Sequence, residues 1–282
     1  MRSLLCLIVT CLVLGPAAAA ETYRASSWVR TAGAEARLIL SQAGVSSGPL
    51  WGGIEIRLAP GAKTYWRSPG ETGVAPVADF AGSRGVKPPV LAFPLPVAFD
   101  DGAGGTAIGY TSDLILPFRI EPLSGAGRIS VAVKLEFGIC QKSLCMPAEA
   151  MLRLAPGEGA DEAGLAVRMA ETLAMVPVPR ALGSTERPAI VTADARQQGT
   201  DLMLTITART LPGDSAPSLF VEGDDVYAVR LESVVNGEAR FSARTRREAT
   251  ASGKPLSLLM TLGSNNSAIE TAVTLDVGAV RP

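Results

Sequence analysis

The chain has 282 residues, with 26 basic and 27 acidic side chains, a formal net charge of −1 and no histidine. A balanced charge removes the electrostatic case for nucleic acid or an acidic lipid surface as partner. The absence of histidine excludes Ser-His-Asp and Cys-His catalysis and every His-ligated metal site, so any chemistry must run on thiols or carboxylates.

The N-terminus has the layout of a secretory signal peptide over 1–20. Arg2 is a short positive region, 4–14 is apolar, and the small residues 17–20 end in a cleavage site near Ala20. The apolar run falls short of the roughly 20 residues a membrane helix needs, and no later segment approaches that length. The expectation is an exported, periplasmic mature chain with no membrane span. Cys6 and Cys11 leave with the leader, and neither follows a lipobox-like Leu-small-small sequence. Cys140 and Cys145 then stand alone, in an oxidising compartment where a disulfide persists.

Residues 28–42 read as a strand carrying Leu38 and Leu40. In 50–58, Ile54, Ile56 and Leu58 share one parity. The stretch 63–68, KTYWRS, is a short aromatic strand, followed by a Pro/Gly loop at 69–76. Pro94 and Pro96 confine 90–99 to an edge strand or an extended loop. Residues 107–121 are a strand pair, or one bent strand broken at Pro117.

The run 129–154 alternates strictly. Ile129, Val131, Val133, Leu135, Phe137 and Ile139 share one parity, and on the return Met146, Ala148, Ala150, Leu152 and Leu154 share one. Folding it about a four-residue loop, 141–144, predicts a hairpin in which Cys140 faces Cys145, Phe137 faces Ala148, Leu135 faces Ala150 and Val133 faces Leu152. One face is then apolar. Both cysteines fall on the other, wetter face, where a partner thiol can reach them. The register has one blemish, the like-charge pair Glu136 and Glu149.

Pro156 to Gly159 closes this unit. The spacing of Leu165, Met169 and Leu173 predicts a helix over 161–175, with Asp161 and Glu162 favourable at its start and Pro177 and Pro179 ending it. Alternation resumes near Pro188, at 202–208, 226–233, 239–244, 256–262 and 269–277. The expected fold is all-β, two immunoglobulin-like β-sandwich domains joined by a short helical linker. The expected boundaries are 21–157, 158–187 for the linker and 188–282. The second unit holds no cysteine. Its acidic pair, Asp224 and Asp225, reads as a solvated turn.

Cys140 and Cys145 form the one candidate site, and no cofactor site is legible. A bridge closing so short a loop stabilises by only about 2 kcal/mol in the entropy model, so stapling is a weak reason for it. Three readings stay open: redox exchange, Cu(I) binding by the reduced thiols with Met146, and an inert bridge in an interaction module. Two thiols alone do not complete a zinc site.

The motif FGICQKSLCMPAE, with YWRSPGETG upstream and the later FPLP and GY, resembles the N-terminal periplasmic domain of the thiol:disulfide interchange protein DsbD. The likeness is to the ScsB-like variant, a group associated with copper tolerance, and it spans about 28–154. It implies an immunoglobulin-like sandwich whose cysteine pair cycles between disulfide and dithiol. Electrons would come from a thioredoxin-like protein or domain and pass to periplasmic thiol proteins. It also implies that Cys145 forms the mixed disulfide and Cys140 resolves it, with Tyr65 and Trp66 candidates for the pair's surroundings. The full-length family also has a transporter domain and a thioredoxin domain, neither of which is read in this sequence, so the expectation is either separate partners or a role outside redox cycling. Lys142, in the turn, is a candidate for stabilising a thiolate.

Overall fold

The computed structural model describes residues 22–42, 50–102, 104–141, 144–245 and 255–279. The leader with Cys6 and Cys11, and Lys142, lie outside them.

The first half runs β1 (Tyr23–Ala25), β2 (Val29–Thr31), β3 (Ala34–Ser41), β4 (Leu50–Leu58), β5 (Ala62–Gly70) and β6 (Val77–Asp79). It continues β7 (Val97–Asp100), β8 (Thr106–Tyr110), β9 (Leu114–Ile120), β10 (Val131–Gln141), β11 (Leu144–Leu154) and β12 (Ala160–Asp161). Among the described residues these form two sheets. One has the order β12-β1-β3-β4-β9 with β2 on β3; the other has the order β11-β10-β5-β8-β7 with β6 on β10. Their inner faces meet in one core. Leu38, Ile54, Ile56 and Phe118 come from the first sheet, and Trp66, Leu135, Phe137 and Leu152 from the second. Burying each such side chain contributes about 1.5–3 kcal/mol.

Two strand readings change. The stretch 28–42 is a hairpin, β2 and β3, turned at Gly33, whose φ of 75° is one glycine adopts at no steric cost. The stretch 107–121 divides at 111–113 rather than at Pro117, and its two strands enter different sheets. Pro117 sits inside β9 opposite Gly53. A residue without an N–H is tolerated there because β9 is the edge strand.

The helix, α1 (Leu165–Ala174), starts four residues later than the periodicity predicts. Asp161 is in β12, paired with Arg24, and Glu162 is bound by arginines instead of sitting in the first turn. Leu165 and Met169 pack on Tyr23, Ala25, Ile39 and Ile115, so α1 lies against the outer face of the first sandwich. A charged network locks it down. The buried Arg37 holds Glu55 and Glu162, each at 2.7 Å, and Arg168 reaches the same two carboxylates at 3.3 and 3.0 Å.

The Arg37 guanidinium, with help from Arg168, holds the Glu162 carboxyl down at about 2. A depressed carboxylate stabilises the fold above its unfolded pKa, near 4.3, and that stabilisation is lost as pH falls toward 2. Glu162 is partly exposed, so solvent screens the effect. The denaturant midpoint, followed by circular dichroism and plotted against pH, is expected to fall between about pH 4 and 2. Glu162→Gln should be less stable at pH 7 and should flatten that part of the curve. An unchanged acid limb in this variant would remove Glu162 from the account.

The second half runs β13 (Val178–Pro179), β14 (Ala189–Gln198), β15 (Asp201–Arg209), β16 (Ser218–Glu222), β17 (Tyr227–Val235), β18 (Glu238–Thr245), β19 (Leu256–Ser264), β20 (Ser267–Leu275) and β21 (Val277–Ala279). Its sheets are ordered β13-β20-β19-β16 and β17-β18-β15-β14-β21. Leu204, Ile206 and Phe241 pack on Met260, Leu262 and Ile269 between them. The architecture is therefore all-β, two immunoglobulin-like sandwiches with one short helix between them in the chain. The halves touch directly. Phe220 of β16 joins the first core against Trp66, with ring centroids 5.7 Å apart, and the Leu95 side chain lies over Gly263 of β19.

Candidate functional site

The hairpin β10–β11 has the register that parity predicts. Cys140 pairs with Cys145, Phe137 with Ala148, Leu135 with Ala150 and Val133 with Leu152. The ladder runs one pair further than expected, to Gln141 and Leu144, leaving two residues between the strands rather than four. The blemish at Glu136 and Glu149 is neutralised by Lys134, whose Nζ lies 2.6 Å from one carboxylate and 3.2 Å from the other.

Cys140 and Cys145 are joined as a disulfide. The wetter face predicted for both belongs to only one of them. Cys145 is exposed, whereas Cys140 is 5% exposed. The difference comes from sheet position. β11 is the outermost strand, so Cys145 stands at the rim, and β10 lies between β11 and β5. On that inner side Lys63 of β5 is the register partner of Cys140. Directly opposed residues share a face, so Lys63, Cys140 and Cys145 form one row across the outer surface of the sheet.

Tyr65 covers the row. Its side chain is buried, and its hydroxyl lies 2.7 Å from Cys140 Sγ and 3.3 Å from Cys145 Sγ. A disulfide sulfur carries no hydrogen, so the phenol donates to both. Two glycines make room for the ring. A Cβ on Gly138 would meet Tyr65 at 2.9 Å, and one on Gly73, in the loop after β5, would meet it at 2.5 Å. Burial, and then the charge of Asp101, raise the Tyr65 pKa, so the phenol keeps its proton at neutral pH and remains a donor. Phe99 closes the side of the pocket against Tyr65, Ala107 and Cys140. The Lys63 ammonium lies 4.8 Å above the Phe99 ring and donates to the Asp100 carbonyl (2.9 Å).

Met146 is not brought to the thiols. It pairs with Ile139, whose side chain is in the core, so it projects from the opposite face to Cys145. Among the described residues no group of three or more Cys, Asp or Glu side chains is placed to hold a metal ion. Trp66, the other aromatic candidate, faces the core rather than the sulfurs.

The arrangement is one sulfur open to a partner, one sulfur shielded, and a neutral hydroxyl aimed at both. That is a geometry for asymmetric attack on a disulfide. Lys63 and Phe99 were not legible in the sequence. Their places depend on strand pairing between distant segments, and no local motif marks them.

Residues 35–156 match the family described as thiol:disulfide interchange protein DsbD, N-terminal. The resemblance carried by the FGICQKSLCMPAE hairpin therefore holds over this stretch, which contains the disulfide, Tyr65 and Phe99. The N-terminal periplasmic domain of ScsB from Proteus mirabilis, a solved structure, is similar over 91% of this chain and 100% of its own, with a TM-score of 0.68 and 23% identity. That likeness extends the shared fold across both sandwiches. An endo-fucoidan hydrolase of glycoside hydrolase family 107 matches at a TM-score of 0.22, with 11% identity over 95% of this chain and 38% of that one. Tandem immunoglobulin domains of titin match at 0.18, with 8% identity over 92% and 100%. Neither carries an argument at such scores. No curated protein matches the sequence. The match over residues 35–156 supports a thiol:disulfide interchange-related module in that stretch. No helix among the described residues is long and apolar enough to cross a membrane.

Proposed function

We propose that Cys140 and Cys145 form a cycling thiol:disulfide exchange site. It takes two electrons from a thioredoxin-like donor and passes them to thiol proteins of the periplasm, where the leader and the periplasmic relative point. The observation that carries this reading is the asymmetry of the pair, with Cys145 exposed and Cys140 buried under Tyr65. A donor thiolate attacks Cys145 Sγ. The S–S bond breaks, its electron pair leaves on Cys140 Sγ, and a mixed disulfide joins the donor to Cys145. The donor's second thiol then displaces Cys145, so the donor ends as a disulfide and the pair as a dithiol. Exchange is fastest when the leaving thiol is a good leaving group. Tyr65 serves that end, because a hydrogen bond to an ionised sulfur is stronger than one to a neutral sulfur. In the forward direction Cys145 attacks a client disulfide and Cys140 closes the bridge again. Leu144 and Val74 are exposed near this rim and give an apolar surface against which a partner can seat.

The test is reduction of the folded, oxidised protein by a reduced thioredoxin-like donor, read as a gain of two hydrogens by mass spectrometry. The expected result is rapid, stoichiometric conversion to the dithiol with the fold retained. A bridge that opens only on unfolding would make it a structural staple, of the kind with a reduction potential below about −300 mV.

A further inference from the structure

Nothing so far assigns a role to the second sandwich. The strand that carries Tyr65 supplies one. β5 pairs with β10 through Ala62, Lys63 and Thr64, and with β8 through Thr64 and Tyr65, after which the register is irregular until Gly70. Residues 66–69 therefore have no register partner in either neighbouring strand. Yet this stretch leads into the loop of Gly73, where an added Cβ would meet both Pro69 and the Tyr65 ring.

Beyond the place of Trp66 in the first core, the contacts that hold the stretch come from the second sandwich. Trp66 packs on Phe220. The Arg67 guanidinium forks onto Glu222 of β16, with Nε at 3.2 and 3.0 Å from its two oxygens and Nη2 at 2.7 Å, and Nη2 also reaches Glu270 of β20 at 2.5 Å. All three side chains are mostly buried. A bidentate arginine pair fixes direction as well as distance. A second contact secures the same junction, since the Leu95 side chain lies over Gly263. The free end of β5 is thus tied to two strands of the second sandwich, two residues beyond the tyrosine that touches both sulfurs.

We propose that the second sandwich is an intramolecular clamp that holds Tyr65 over the disulfide, with Arg67 as the positioning residue. Arg67 touches neither sulfur. It acts by keeping the β5 end, and the loop after it, in the one placement that aims the Tyr65 hydroxyl at Cys140 and Cys145. The proposal rests on the exchange reading above.

The experiment is a double-mutant cycle on the full mature chain. The rate of reduction by a thioredoxin-like donor is measured for the unsubstituted protein, Arg67→Met, Tyr65→Phe and the double variant, with folding checked by circular dichroism. If Arg67 works through Tyr65, Arg67→Met slows exchange about tenfold alone and by less than about twofold in the Tyr65→Phe background, a coupling within the range of residues that share one network. A purely structural Arg67 would slow both backgrounds equally, and that result overturns the proposal. So does an unchanged rate in folded Arg67→Met. If Arg67→Met does not fold, Glu270→Gln removes one of the two carboxylates and the same cycle is read with it. The two ideas fail separately. An unsubstituted protein that is not reduced sinks the exchange reading, whereas normal reduction with an additive cycle sinks only the clamp.

Discussion

The two single-serine variants are expected to behave oppositely toward a thioredoxin-like donor that keeps only its attacking cysteine. With that sulfur activated as a mixed disulfide with thionitrobenzoate, Cys140→Ser should displace the thionitrobenzoate and accumulate a covalent complex through Cys145. Cys145→Ser should accumulate almost none. The reason is access. Cys145 lies on the rim strand and is exposed, while Cys140 lies one strand inward, 5% exposed, with Tyr65, Phe99 and Ala107 packed around it. A sulfur so enclosed offers no line of approach for an incoming disulfide. Pro147, exposed two residues after Cys145, adds to the openness, since without an N–H it cannot complete the ladder opposite Gly138. Equal trapping by both variants, or trapping by Cys145→Ser alone, would falsify the division of labour.

Tyr65→Phe is expected to slow reduction of the disulfide by roughly 10- to 100-fold, the kinetic equivalent of losing a hydrogen bond to a charged group, about 1.5–3 kcal/mol. The ring and its packing on Gly138 and Gly73 survive this change, so the fold should not suffer. What goes is the hydroxyl that lies 2.7 Å from Cys140 Sγ. In the disulfide that contact is a weak bond to a neutral sulfur. Once Cys140 leaves as a thiolate it becomes charge-assisted, so the loss falls mainly on the transition state and the dithiol. The Cys140 thiol pKa should therefore rise in the variant, which ultraviolet thiolate absorbance against pH will report. A normal rate together with an unshifted thiol titration would assign Tyr65 to packing only.

The physical reach of each signal separates what was readable from what was not. Alternation along 129–154 marks a hairpin because side-chain direction in a strand has period two and needs no knowledge of distant segments. The pairing of Cys140 with Cys145 and the run of apolar pairs from Phe137 to Val133 follow from it. The helix start went astray for a different reason. Asp161 and Glu162 are good N-terminal residues by propensity, but here Arg24, Arg37 and Arg168 draw them into ion pairs, and tertiary contacts outweigh a local preference of a few tenths of a kcal/mol.

By itself, then, the sequence determined an all-β chain without histidine chemistry and one disulfide hairpin with both sulfurs on its outer face. These depend on composition and on neighbours a few residues apart. It did not determine that the two sulfurs are unequal. That difference arises from Tyr65, 75 residues before Cys140 in the chain, and from Lys63 and Phe99 in strands whose order in the sheet no local pattern encodes. Nor did it show that the β5 end is held by Glu222 and Glu270, 155 and 203 residues from Arg67. Contacts between segments so far apart are set by how the sheets stack, and only the folded chain brings those side chains to the same place.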